Sequence, residues 1–221
     1  MAGSARTDSS ASPVDHRYGP PSWLGDSVLL TEAYSVAVSA HGSRRRATDE
    51  RLFLEHVVEV GCLLHDAGFD DEIIAVGLLH DAVERGTLGV DRLDEAMGPR
   101  IAALVMVLSE DSSIASFEGR KAGLRAQVEC AGSPAVDVYA ADKLSDVLGL
   151  QRGIETHSEG LQQRMGTSVG NMLAHYRESI EMVVSIRPDS VFLPALRTGL
   201  ENLETAAATD DPATGGAALP S

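Results

Sequence analysis

GCLLHDAGFDDEIIAVGLLHDAVERG, residues 61–86, contains the word LLHDA twice, ending once at Ala67 and once at Ala82. The two copies have different surroundings. His65-Asp66 stands just before Gly68, a natural residue to follow a helix C-terminus, and there a histidine is favoured by the helix dipole and by contact with solvent. His80-Asp81 falls in a helical run whose other members, Ile73, Ile74, Val76, Leu78, Leu79 and Val83, are apolar, so two polar side chains enter or border the core. Burying them is costly without partners. Glu84 follows His80 by four positions, which on a helix sets it on the same face. A metal ion would satisfy this group, so the second copy reads as functional and the first as a helix end.

The same 3.6-residue periodicity runs outward in both directions. DSVLLTEAYSVAVSAHG opens on Asp26, a capping type, and closes at Gly42; TDERLFLEHVVEVGCLLHDAG starts at Thr48, a cap candidate; DDEIIAVGLLHDAVERG begins on acids suited to a helix N-terminus. MGPRIAALVMVLSE, SFEGRKAGLRAQVECAG, SPAVDVYAADKLSDVLGL, a segment from about 158 to 186 and PDSVFLPALRTGLENLE read the same way. The expectation is an all-α bundle of seven to nine helices. Residues 26–204 form one domain between a flexible N-terminal tail, 1–25, and a flexible C-terminal tail, 205–221, both rich in small and polar residues.

Composition supports this and narrows the partners. The chain has 221 residues, of which 43% are hydrophobic and only 4% aromatic, enough to fill a core but unlike a β-sandwich. A formal net charge of -15 repels polyanions, which argues against nucleic acid or an anionic membrane as partner and leaves room for a small anion held by a local basic cluster. Cys62 and Cys130 lack CxxC spacing and read as reduced core thiols. No apolar run approaches the ~20 residues of a membrane span, and no signal pattern opens the chain, so a cytoplasmic protein is expected.

Partners for His80 and Asp81 come from other helices. His56 lies among Leu52, Phe53, Val57 and Val60, and Asp142 lies in the apolar VDVYAADKLSDVLGL with Asp146 at i+4. Two imidazoles and two carboxylates suit Mn²⁺, Fe²⁺ or another octahedral ion better than a structural zinc. His41, before Gly42, reads as a helix-end histidine.

The order His56, His80-Asp81, Asp142, together with AYSVAVSAHGSRRR, AVGLLHDAVE, LDEAMGPRIAALVMVLSED and AADKLSDVLGL, resembles the HD-domain metal-dependent phosphohydrolases. Within them it is similar to the hydrolase domain of RelA/SpoT-type enzymes and to the small stand-alone alarmone hydrolases of the metazoan SpoT-homologue type. The resemblance covers about residues 30–150. It implies His56, His80, Asp81 and Asp142 as metal ligands, Mn²⁺ as the usual ion, and Glu84 as the residue that orients or deprotonates the attacking water. Asp146 joins Glu84 as a candidate catalytic residue. Arg45 and Arg46 fall where the family has basic residues near the nucleotide, Lys143 adds charge for a diphosphate, and Tyr176 lines the pocket.

The implied reaction is removal of the 3′-diphosphate from a guanosine or adenosine polyphosphate. Three departures stand out: Arg85 replaces the acid that follows the catalytic glutamate, Asp146 replaces an asparagine, and ATDERLFLEHV replaces a Gly-x-Pro-Tyr approach to the first histidine. They keep two alternatives open. One is an HD-type phosphomonoesterase acting on a nucleotide or on the 2′-phosphate of NADPH, and the other is a catalytically altered nucleotide sensor. A homo-oligomer is compatible with all three.

Overall fold

A computed structural model describes residues 20–157 and 159–209. Its helices are α1 (Val28–His41), α2 (Phe53–Asp66), α3 (Asp71–Leu79), α4 (Val90–Met97), α5 (Pro99–Val107), α6 (Phe117–Ala131), α7 (Ser133–His157), α8 (Leu161–Met165), α9 (Val169–Ile186) and α10 (Leu193–Thr209). These ten, preceded by a 3-10 turn at Ser22–Leu24, make an all-α bundle with no strand among the described residues. The sequence expectation omitted α4 and ran α8 and α9 together as one segment from about 158 to 186. Leu24 is buried and α10 runs to Thr209, so folded structure extends beyond 26–204 at both ends. The rest of both expected tails lies outside the described residues.

α7 is the axis of the bundle. It packs on α2, α3, α6, α9 and α10, and Ala135, Val136, Val138, Tyr139, Ala140, Ala141, Val147 and Leu150 are fully buried along it. A helix surrounded on every side is apolar all round, so its polar residues stand out as demands for partners. α2 and α3 form an antiparallel pair against it, brought close by Gly77, where an added Cβ would fall 2.5 Å from Leu64 Cδ1.

Local signals explain most helix ends. Asp70 accepts the Ile73 N–H at 3.0 Å, and Ser116 and Ser168 cap α6 and α9 in the same way. Gly98, with φ 82°, turns the chain from α4 into the proline start of α5. Gly68, at φ 80°, follows α2 as expected of a left-handed C′ residue.

Three expectations need correction. The cap of α1 is Ser27, whose Oγ accepts the Leu30 N–H, and not Asp26. Thr48 starts no helix: the Arg46 N–H donates to Arg51 O and the Phe53 N–H to Arg44 O, both at 2.9 Å. They close a loop in which Glu50 takes a positive φ of 58°, so α2 begins only at Phe53. Cys130 is exposed and Cys62 half-buried, both as free thiols rather than core residues.

Candidate metal centre

α2 carries His56, α7 carries Asp142, and the turn that follows α3 carries His80 and Asp81. That turn has a local cause. His80 Nδ1 donates to Gly77 O at 2.8 Å, the acceptor a continuing helix would offer to the Asp81 N–H. The Ala82 N–H then turns back onto Leu79 O at 2.8 Å. His80 and Asp81 therefore stand past the end of α3 and not inside it, which turns both toward α2 and α7.

Four of the sequence-derived residues converge there. His56 Nε2 and His80 Nε2 each lie 3.3 Å from Asp142 Oδ1, while Asp81 Oδ2 is 3.8 Å from the first and 3.7 Å from the second. His56, His80 and Asp142 are all buried and offer donor atoms within 4.8 Å of one another.

Both imidazoles are held from behind. The bond to Gly77 O fixes the His80 proton on Nδ1, and His56 Nδ1 is 2.9 Å from Ser145 Oγ. Each Nε2 thus faces the carboxylates, and both rings are buried. Anchoring of the outer nitrogen is the usual arrangement for a metal-binding histidine. The 3.3 Å donor separations also match the ~3 Å edge of an octahedron with ~2.1 Å bonds. The residues fit a divalent ion.

The charges respond strongly to one another. Burial works to lower the His80 pKa, but Asp81 and Asp142 outweigh it and push it up to about 9. Burial likewise opposes ionisation of Asp142, yet Lys143 and His80 hold its carboxyl well below the usual range. Asp81 is lowered too, with His80 and Arg85 overcoming its burial. The cluster keeps its carboxylates charged and, without a cation, recruits a proton.

Around it lies a cavity of about 190 Å³. Five acidic side chains (Asp81, Glu84, Glu110, Asp142, Asp146) and five basic ones (Arg46, Arg85, Arg120, Lys121, Lys143) line it, with Phe53, Phe117, Met165 and Met172 among the apolar residues. Lys143 Nζ contacts Asp142 Oδ2 at 2.9 Å and Asp146 Oδ2 at 2.6 Å, and Arg46 Nη2 meets Asp146 Oδ1 at 2.7 Å. Glu84 Oε2 accepts the Glu110 N–H at 2.7 Å and its Oε1 pairs with Arg85 Nε, also at 2.7 Å. Burial raises the Glu84 carboxyl above its ordinary value.

Two expected residues stand elsewhere. Arg45 is exposed on the closing loop, donating to Glu50 O at 2.7 Å, and is absent from the cavity wall. The loop's alternation sends its neighbour Arg46 inward instead. Tyr176 is fully buried behind the wall.

Sequence reasoning also missed residues. His41 is no solvated helix end: it is 1% exposed, stacks on Phe53, has no partner for either ring nitrogen and is lowered by burial to about 4. Its spacing of i+4 from the buried Ala37 was the available signal. Glu110, held by Lys121 at 2.5 Å and Arg120 at 3.0 Å, had none beyond its place in LSED. A larger cavity of about 420 Å³, between the N-terminal turn, α1 and α2, is almost wholly apolar and contains no such donor set.

An all-α bundle that gathers two imidazoles and an aspartate onto one buried point offers the donor set of a divalent-metal site. Residues 33–131 match the HD domain family. Asp142 lies just past the matched stretch. The GTP pyrophosphokinase rsh of Brucella ovis is 39% identical over 82 residues, covering 37% of this chain and 11% of that protein. A probable guanosine-3′,5′-bis(diphosphate) 3′-pyrophosphohydrolase of Synechocystis is 35% identical over 77 residues, covering 35% and 10%. The chain thus spans about a tenth of the length of these curated relatives. Among solved structures, a metazoan ortholog of SpoT that hydrolyzes ppGpp superposes with a TM-score of 0.62 at 22% identity, covering 86% of this chain and 98% of that one. A Listeria monocytogenes protein gives 0.58 at 23% identity, covering 66% and 91%. These two share the fold.

Proposed function

We propose that this protein is a metal-dependent phosphohydrolase that removes the 3′-diphosphate from guanosine or adenosine polyphosphates of the ppGpp type. The observation that carries the reading is the convergence of two buried imidazole nitrogens, His56 Nε2 and His80 Nε2, on one carboxylate oxygen, Asp142 Oδ1, each at 3.3 Å. His56, His80, Asp81 and Asp142 would hold the ion, and their mixed nitrogen and oxygen set favours Mn²⁺. A divalent ion there supplies Lewis acidity, making water a better nucleophile and polarising a phosphoryl oxygen.

The chain's own groups do the rest. Glu84, fixed by the Glu110 N–H and with its affinity for protons raised by burial, takes the proton of the attacking water. The acidic and basic side chains of the cavity balance in number, so a bound divalent cation leaves an excess of positive charge for a diphosphate. Lys143 and Arg46 sit at the Asp146 side of that cavity, and Phe117, Met165 and Met172 offer an apolar wall for a base. The similarity to ppGpp-hydrolysing proteins supports the same substrate class.

A second reading, nucleotide sensing without turnover, is favoured by one contact: Arg85 Nε on Glu84 Oε1, which occupies the candidate base. The deciding test is an Mn²⁺-supplemented assay on guanosine tetraphosphate, its adenosine counterpart and NADPH, with Asp81→Ala as control. Diphosphate release that disappears in the control supports the hydrolase. Orthophosphate release instead identifies a phosphomonoesterase, and bound Mn²⁺ with no product from any of the three identifies a sensor.

A further inference from the structure

His56 is tied to the outside of the bundle by a chain of groups that starts at its Ser145 contact and continues through Glu59 and Arg152, which have no part in the site described so far. Its Nδ1 is 2.9 Å from Ser145 Oγ, and Ser145 Oγ donates to Glu59 Oε2 at 2.5 Å. Glu59 is met by both terminal nitrogens of Arg152, each at 3.4 Å, and Arg152 also reaches Asp49 Oδ2 at 3.1 Å. Ser145 is fully buried, whereas the Glu59 side chain is 28% exposed.

The donors and acceptors allow one direction only. A serine hydroxyl has a single proton, and a carboxylate offers acceptors alone. With that proton given to Glu59, Ser145 Oγ meets the imidazole as an acceptor, so His56 carries its proton on Nδ1. In the neutral ring Nε2 is then the lone pair, and it faces Asp142 Oδ1 and Asp81 Oδ2. The negative end of the chain, at Glu59, also pulls the Nδ1 proton outward and makes Nε2 the stronger donor.

Resting on the metal-centre reading, we infer that Ser145 and Glu59 are positioning residues for the ion: they act through His56, fixing its tautomer and ring angle and strengthening its bond to the metal. The arrangement is economical in sequence. Ser145 is three residues past Asp142 on α7 and Glu59 is three past His56 on α2, so each partner lies on the same helix face as a ligand.

The experiment is a double-mutant cycle on Mn²⁺ affinity, read from the electron paramagnetic resonance signal of free Mn²⁺ at pH 7.5. The proteins are wild type, Ser145→Ala, Glu59→Ala and the pair, with His80→Ala as control. Loss of an outer-sphere partner weakens metal binding about 10- to 100-fold, and Ser145→Ala is expected in that range. Glu59→Ala weakens it in the same direction, and the double variant binds no more weakly than Ser145→Ala alone, because the glutamate acts only through the serine. Glu59→Gln, which keeps an acceptor but loses the charge, falls between wild type and Glu59→Ala.

Circular dichroism and thermal unfolding accompany each titration. If Ser145→Ala does not fold, the two Glu59 variants, at a partly exposed site, carry the test. Folded variants that bind Mn²⁺ within twofold of wild type, or single effects that multiply in the double variant, overturn the relay while leaving the metal centre intact. A wild type that binds no more Mn²⁺ than His80→Ala overturns both.

Discussion

Raising the pH of the metal-free protein should strengthen Mn²⁺ binding by a predictable amount. Asp81 and Asp142 push the His80 pKa from 6.5 up to about 9, so at neutral pH the imidazole that faces the site is protonated and an incoming ion must expel that proton. Both carboxylates are held below their ordinary values and contribute no proton in this range. Apparent affinity then rises about tenfold per pH unit until it levels near the His80 value, and at pH 7 it stands about 100-fold below its limit. Calorimetric titration in two buffers of different ionisation heat counts the proton directly: about one per ion at pH 7 to 8.

The same shift acts on folding. A histidine whose pKa is raised on folding contributes stability that is fully present below pH 6.5 and lost as the pH climbs through about 9. The amount is about 3 kcal/mol from the size of the shift. Thermal unfolding of the metal-free protein should therefore weaken between pH 6.5 and 9, while the Mn²⁺-loaded protein does not follow it. A pH-independent Kd between 6.5 and 8.5, with no proton released, refutes the assignment of His80 as a protonated place-holder for the ion.

Three further outcomes follow from the geometry. Glu84→Gln should bind Mn²⁺ as wild type does and lose turnover by about 10² to 10⁴ on whichever substrate is cleaved, measured by product release. Asp146→Asn leaves the buried Arg46 and Lys143 with one carboxylate fewer and should cost about 3 kcal/mol in urea unfolding at pH 7. Because the Asp146 carboxyl is depressed, that difference persists down to about pH 4 and shrinks only as the pH falls through the depressed folded value. Gly153→Ala would set a Cβ 2.2 Å from Thr48 O. Backbone cannot yield cheaply there, so a loss of about 1 to 3 kcal/mol in the same unfolding assay is expected.

The parts of the site that were legible in the sequence are the polar residues on otherwise apolar helices: His56, His80, Asp81 and Asp142 each break a buried stripe, and the structure brings all four together. What the periodicity hid was where the helices stop. Nothing in AVGLLHDAVE reveals that His80 would bond Gly77 O and end α3, since that bond depends on the ring being drawn back by its own turn. Thr48 looked like a cap because threonine often is one. The pairing of residues 44 and 46 with 53 and 51 lies across a loop whose closure is a tertiary effect, and the same closure decides that Arg46 enters and Arg45 does not. Ser145 and Glu59 were visible by helical spacing but carry no residue-type signal of their own.

Within 12 residues of α7 stand Asp142, Lys143, Ser145, Asp146, Gly149 and Gly153. They give, in order, a proposed metal donor, its counter-charge, the hydroxyl behind His56, the seat of Arg46, and the two gaps that admit the Arg46 side chain and the Thr48 backbone. At 1.5 Å per residue the functional groups from Asp142 to Asp146 span only about 6 Å of a rigid rod. Such a rod transmits displacement as one body, so a push anywhere along it shifts cation affinity and anion affinity together. Substitutions that retune one of the two must therefore be read against the other, and a lineage that altered its substrate through α7 would have had to renegotiate its metal in the same step.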